Sequence, residues 1–312
     1  MKIVLLDAQT LGADTDLSAF YKLGDFSVYQ TTTQTEAFER VKNADIVITN
    51  KVIFERTLLA KLPTLKLIAL TATGMNNVDL KAAKEFGIIV KNVAGYSTMS
   101  VAQHTFTLAL SLVSRLLFYE QYVKSGKWLQ SAVFTNLDRP FFELYSKRWG
   151  IIGLGAIGRQ TAKIARAFGM RVVYYSTSGV EREERYPQIS LHELLTTSDI
   201  VSIHAPLNER TKNLIGTAEL KLMKQDAIII NVGRGGIIDE EALRDAIESK
   251  RIYAATDVLE VEPMQKNSPL ANLKQKERYI ITPHVAWGSV EARKRLMRAV
   301  YKNIKIFMKE GR

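Results

Sequence analysis

The chain of 312 residues contains no cysteine, which excludes disulfide staples and any thiolate nucleophile or metal ligand. Histidines number only 4, so each can be weighed by itself. No group of histidines and acids has metal-ligand spacing, and the serine-hydrolase nucleophile elbow is missing. Low-complexity tracts and close internal repeats are lacking as well. An apolar run of membrane-spanning quality is also missing. Residues 92–114 carry no formal charge, but Ser97, Thr98, Ser100, Gln103, His104 and Thr105 interrupt them, so they read as a buried helix. The opening "MKIVLLDAQT" soon meets Asp7 and reads as a first strand, not a signal peptide. Together these absences fit a cytoplasmic protein.

What is present is an ordinary globular composition, 46% hydrophobic and 24% charged, in a chain long enough for two domains. The net charge of +11 raises the question of nucleic acid. Much of the excess lies near the C-terminus, from Arg293 to Lys309, where Leu296, Val300, Ile304 and Phe307 recur at helical spacing. This reads as an amphipathic helix with a solvated basic face, so neither nucleic acid nor membrane is expected as a partner.

Short β-branched runs alternate with helical stretches. "KIVLLD", "DIVITN", "LKLIALT" and "GIIVKNV" come early; "WGIIGLG", "RVVYYS", "DIVSIHA", "AIIINVG", "IYAATDV" and "YIITPHV" come later. Residues 157–168, 190–197, 217–224 and 239–249 read as crossover helices. Continuous apolar strands joined by helices predict parallel sheets covered on both faces, and their number calls for two doubly wound domains. A boundary falls near Gly95–Ser97, before a buried helix over 98–118. Residues 119–148 have weak periodicity and read as an excursion that reaches a partner subunit.

"GIIGLGAIGRQ" places Gly153, Gly155 and Gly158 after a strand and at the opening of a helix. The first permits a tight turn, the second lets a pyrophosphate approach the backbone, and the third lets helix and strand pack closely. Where the next strand ends, an acid that would grip an adenosine ribose is replaced by Ser176, followed by Thr177 and Ser178. Hydroxyls do not repel a 2′-phosphate, and Arg182 or Arg185 could reach one. NAD and NADP both stay open, with a lean to NADP or dual use.

Three more stretches follow strands: "NVGRGGIID", "TDVLEVEP" and "TPHVAW". In an open parallel sheet such loops converge on the ligand crevice, which would gather Arg234, Glu262 and His284. A guanidinium can hold a 2-oxo acid carboxylate, an imidazolium can protonate the carbonyl oxygen, and a carboxylate can orient the imidazole. Glu260 is an equal candidate for the acid. His192 reads as a surface residue, His104 as a satisfied core or interdomain histidine, and His204 as lining the cofactor cleft.

"NVAGYSTMSVAQHT", "GIIGLGAIGR", "HAPLNERTKNLI", "NVGRGGIIDEEAL", "DVLEVEP" and "TPHVAW", in that order, resemble the signatures of the D-2-hydroxyacid dehydrogenases along nearly the whole chain. The resemblance implies an α/β fold in which a Rossmann dinucleotide-binding domain, residues 99–285, is inserted into a flavodoxin-like substrate domain, residues 1–98 and 286–312. It implies that Arg234 binds substrate carboxylate, His284 is the acid/base and Glu262 its partner. Asp257 would contact the nicotinamide, and Ala156, Ile157, Ala205, Pro206, Val232 and Gly233 would help line the cofactor site. The domains would close by hinging near residues 96–100 and 285–289. No regulatory domain is expected after Arg312.

Within the family, "ITNKV", "TATGMNNVDL" and "TPHVAW" are most similar to glycerate dehydrogenases, also called hydroxypyruvate reductases. That implies substrate binding by the Thr73, Gly74 and Met75 backbone, with Lys51 and Trp287 shaping the pocket, in a homodimer. D-Lactate or 3-phosphoglycerate as substrate, or a non-catalytic cofactor-sensing corepressor, are the alternatives. "LYSKRWG", with Ser146 and Trp149, departs from the family's glycine-containing run and is expected to affect packing only.

Overall fold

A computed structural model describes residues 1–179 and 185–310. The chain divides into two compact units, Met1–Ser97 with Gly288–Arg312, and Thr98–Trp287. Each unit is built on one wholly parallel sheet.

In the first unit the strands are β1 (Lys2–Leu5), β2 (Asp25–Val28), β3 (Ile46–Thr49), β4 (Leu67–Leu70) and β5 (Ile89–Lys91), in the order β2-β1-β3-β4-β5. The strands β3 and β4 are buried along their whole length, as unbroken apolar runs covered on both faces should be. The sequence reading missed β2. This edge strand pairs only with β1, and its Asp25 and Ser27 break the apolar pattern.

The terminal helix Val290–Lys309 buries Leu296, Val300, Ile304 and Phe307, as expected, together with Ala292 and Met297. Its basic face is not wholly solvated. Arg293 forms a two-pronged bond to Asp14 at 2.5 and 2.9 Å and also donates to the Leu11 carbonyl at 2.8 Å. That guanidinium holds the Asp14 carboxyl below its usual range. Arg295 donates to the Tyr96 carbonyl at 2.9 Å.

The second unit carries β6 (Arg148–Ile152), β7 (Arg171–Tyr175), β8 (Ile200–Ile203), β9 (Ile228–Asn231), β10 (Tyr253–Thr256) and β11 (Tyr279–Ile281), in the order β11-β10-β9-β8-β6-β7. Outside β7, Gln188 forms a single parallel bridge to Tyr174. Counted as a vestigial strand, that bridge restores the 3-2-1-4-5-6 arrangement of dinucleotide-binding sheets, with one strand added. The chain therefore reverses direction at β6, and the crevice above β6 and β8 is where such folds take ligands.

The helix expected over 98–118 ends at Val113, and a second helix, Leu116–Lys124, follows at a bend of 62°. The break falls at Arg115. This residue takes a left-handed backbone (φ 54) and lays its guanidinium over the Tyr253 ring at 3.7 Å. Neither helix alone is long and apolar enough to cross a membrane. The first buries nine side chains, while the second buries none.

Candidate active site

The glycine-rich turn joins β6 to the helix Ala156–Ala167. Gly153 has φ 91, and a Cβ there would lie 2.9 Å from the Ala205 amide nitrogen. A Cβ on Gly158 would lie 2.4 Å from the Gly153 carbonyl. Both positions therefore exclude side chains. Among the described residues, Gly155 instead faces open space, with nothing within 4 Å of a Cβ built there. It caps the helix without a side-chain acceptor, so the first-turn amides of Ala156, Ile157 and Gly158 are available to an anion. Gly233 also packs against Ala205, whose carbonyl would meet its Cβ at 3.0 Å. The predicted cofactor-lining residues Gly153, Ala205 and Gly233 are thus brought together. Val232 is buried, and Pro206 is exposed beside Ala205.

Ser176 and Thr177 follow β7 and are half-buried. The Ser176 and Ser178 hydroxyls lie 3.2 Å apart. Arg182 falls outside the described residues.

His204 follows β8. Its Nε2 is 2.9 Å from the Ser202 hydroxyl, which accepts the Trp149 indole N–H at 2.8 Å. Trp149 thus does more than pack, contrary to expectation: it orients the hydroxyl beside His204. Ser146, in the same departure from the family pattern, holds the left-handed conformation (φ 61) that a glycine adopts without strain. Burial pushes the His204 imidazole down to about 3, so the ring is neutral. Its Nδ1 is a buried polar atom with no partner among the described residues.

Arg234, Glu262 and His284 follow β9, β10 and β11, three neighbouring strands whose carboxyl ends point the same way. The loops of Arg234 and Glu262 touch through backbone: a Cβ on Gly235 would meet the Leu259 carbonyl oxygen at 1.9 Å. Arg234 is half-buried, and its Nη1 donates to the Gly233 carbonyl at 2.8 Å. The remaining N–H groups of the fork are left for a ligand.

His284 Nδ1 lies 2.8 Å from Glu262 Oε2, and Leu259 N–H donates to Glu262 Oε1 at 3.1 Å. Between the two candidate acids, geometry selects Glu262. Glu260 is placed by its backbone, whose N–H donates to Glu240 Oε1 at 2.7 Å. Desolvation raises the Glu240 carboxyl above its usual range.

His284 has a positive φ of 53, and such strain persists only where the surroundings impose it. Asp257 imposes it here. Its carboxylate, 2% exposed, accepts the Thr282 hydroxyl at 2.5 Å, Val285 N–H at 2.9 Å and Ala286 N–H at 2.8 Å. Its carbonyl accepts the His284 N–H at 2.9 Å. His104 Nε2 joins this network, 2.9 Å from the Thr282 hydroxyl and 3.6 Å from Asp257 Oδ1. The sequence reading missed this anchoring of the histidine loop; a buried acid one residue beyond a strand was its only signal. Trp287, half-buried, packs against the core of the same unit.

In the other unit, Asp7 fixes the Lys51 loop by accepting Asn50 N–H and Lys51 N–H, each at 2.8 Å, and the Thr49 hydroxyl at 2.9 Å. Lys51 lines a cavity of about 370 Å³ with Asp7, Gln9 and Gln30. The Thr73–Met75 turn is tied down from Thr73, whose hydroxyl donates to the Val93 carbonyl at 2.9 Å.

The family model for the D-isomer specific 2-hydroxyacid dehydrogenase, NAD binding domain, matches residues 106–286, and the chain belongs to that family. It is 39% identical to a hydroxypyruvate reductase of Blautia hydrogenotrophica, over 99% of this chain and 97% of that one. It is 37% identical to a glycerate dehydrogenase of Methylorubrum extorquens, over 98% and 96%. Among solved structures it is similar to an acyclic imino acid reductase in complex with NADPH and D-Arg, with TM-score 0.87 and 30% identity over 99% of this chain and 98% of that one.

Proposed function

We propose that the chain is an NAD(P)H-dependent reductase of a small 2-oxo acid, with hydroxypyruvate and glyoxylate, giving D-glycerate and glycolate, as the favoured substrates. The observation that carries this reading is the His284–Glu262 pair at 2.8 Å, on strands adjacent to the one that presents Arg234. In the protonated imidazole of His284, Nδ1–H donates to Glu262, which leaves Nε2–H to protonate the substrate oxygen and the ring neutral afterwards. Arg234 holds the carboxylate through a fork that a lysine lacks. A nicotinamide dinucleotide, when bound, would supply the hydride for the carbonyl carbon. The glycine turn, the open Gly155 and the free helix amides fit its pyrophosphate. The full-length relatives named for hydroxypyruvate and glycerate support the choice of substrate. Roles for Lys51, Thr73, Gly74, Met75 and Trp287 in substrate binding rest on the resemblance alone.

A cytoplasmic homodimer belongs to the same proposal. Leu116, Leu117, Trp128, Leu129, Phe134 and Leu137 expose a run of apolar surface in the segment after the helix break, with Leu129 91% and Phe134 88% exposed. A second copy of the chain would cover it.

The test is the initial rate with hydroxypyruvate, glyoxylate and pyruvate, each with NADH and NADPH. His284→Ala should lower kcat by roughly 10²–10⁴ with dinucleotide binding intact. Near-normal turnover in that variant would overturn the assignment.

A further inference from the structure

The strands β7 and β8 flank β6, so the loops that follow them stand on either side of the glycine-rich turn. One side chain crosses between these loops. Arg210, in the loop after β8, donates through Nη1 to the Ser178 carbonyl at 3.1 Å. A Cβ built on Gly179 would lie 3.9 Å from the same nitrogen.

The reach is imposed by a closed turn. Arg210 N–H donates to Asn208 Oδ1 at 2.9 Å, the Thr211 hydroxyl donates to the Pro206 carbonyl at 2.7 Å, and Asn208 N–H donates to the Thr211 hydroxyl at 2.8 Å. An exposed arginine is usually just a solvated charge. This one is aimed by its turn, has no carboxylate partner among the described residues, and has spent one of five N–H groups. The adenosine ribose in this fold lies at the end of the second strand, β7 here, where an acid would repel a 2′-phosphate. Ser176 and Ser178 stand there instead, their hydroxyls 3.2 Å apart.

We propose that Arg210, with the Ser176 and Ser178 hydroxyls, binds the 2′-phosphate of NADPH and sets the dinucleotide preference of this chain. The inference rests on the reductase reading and goes beyond it, by naming the residue that selects the cofactor. A guanidinium matches a phosphate in both charge and fork geometry, while the ribose hydroxyl of NADH offers it only a weak neutral acceptor. The recognition joins two loops that are distant in sequence, which is why the residues nearest Ser176 did not disclose it.

Calorimetry with 2′,5′-ADP and 5′-AMP, and fluorescence titration with NADPH and NADH, test this on the wild type, Arg210→Gln and Arg210→Lys. The wild type should bind 2′,5′-ADP at least ~10-fold more tightly than 5′-AMP. Arg210→Gln should weaken NADPH and 2′,5′-ADP by about 10–100-fold and NADH by less than about 3-fold. Arg210→Lys should recover part of the loss, since it keeps the charge without the fork. Equal losses for both dinucleotides, or a wild type that prefers NADH, would overturn this inference and leave the reductase reading standing. Binding of neither dinucleotide by the wild type would overturn both.

Discussion

The Glu262 carboxylate has both oxygens committed: Oε2 faces His284 Nδ1 at 2.8 Å and Oε1 accepts the Leu259 N–H at 3.1 Å. One side chain thus orients the imidazole and ties it to the loop that packs on Gly235. Glu262→Gln keeps the shape but loses the charge and one acceptor, so either Leu259 or His284 loses its partner. We expect kcat to fall by about 10–100-fold with a smaller change in KM. Steady-state kinetics check this, and an unchanged kcat would remove Glu262 from the chemistry.

Gly235 is required by a backbone approach. A Cβ would sit 1.9 Å from the Leu259 carbonyl oxygen and 2.0 Å from its carbon, and neither atom can rotate away. Gly235→Ala should push the Arg234 loop off the Glu262 loop, costing about 1–3 kcal/mol of stability and raising KM for the oxo acid. Thermal unfolding and kinetics measured together would reveal it. A variant with wild-type Tm and KM would show that the loops can part freely.

The neutral, half-buried His204, whose Nδ1 is shielded from solvent, makes stability depend on pH in a defined window. Its folded value is about 3, against 6.5 in the unfolded chain. Below 6.5 the unfolded state takes up a proton that the folded state refuses, so the contribution is complete above 6.5 and lost progressively toward 3. His204→Gln removes this linkage. Denaturant unfolding between about pH 4 and 7 should show a flatter pH dependence in the variant than in the wild type. Identical slopes would mean that the ring titrates normally in the folded protein.

Most of the frame was legible in the chain because its signals are local. Unbroken apolar runs such as "AIIIN" marked buried parallel strands, and the helix face of Leu296, Val300, Ile304 and Phe307 lies in the core as the spacing implied. The failures lie where that local signal is weak or absent. The edge strand β2 has only one strand neighbour and a polar-interrupted pattern, so it carried no periodic signal. The break at Arg115 accompanies a contact with the Tyr253 ring, far along the chain, of which no nearby residue gives a sign.

By itself the sequence determined the strand–helix alternation, the glycine turn and the three loops that carry Arg234, Glu262 and His284. Those follow from side-chain volume, turn chemistry and periodicity within a few residues. Only the tertiary structure decided that Glu262 and not Glu260 meets the histidine, and that Asp257 anchors the histidine loop. It alone brought Arg210 to Ser178. Each of these is a distance between loops that leave different strands, and it is the order of strands in the sheet that sets such distances.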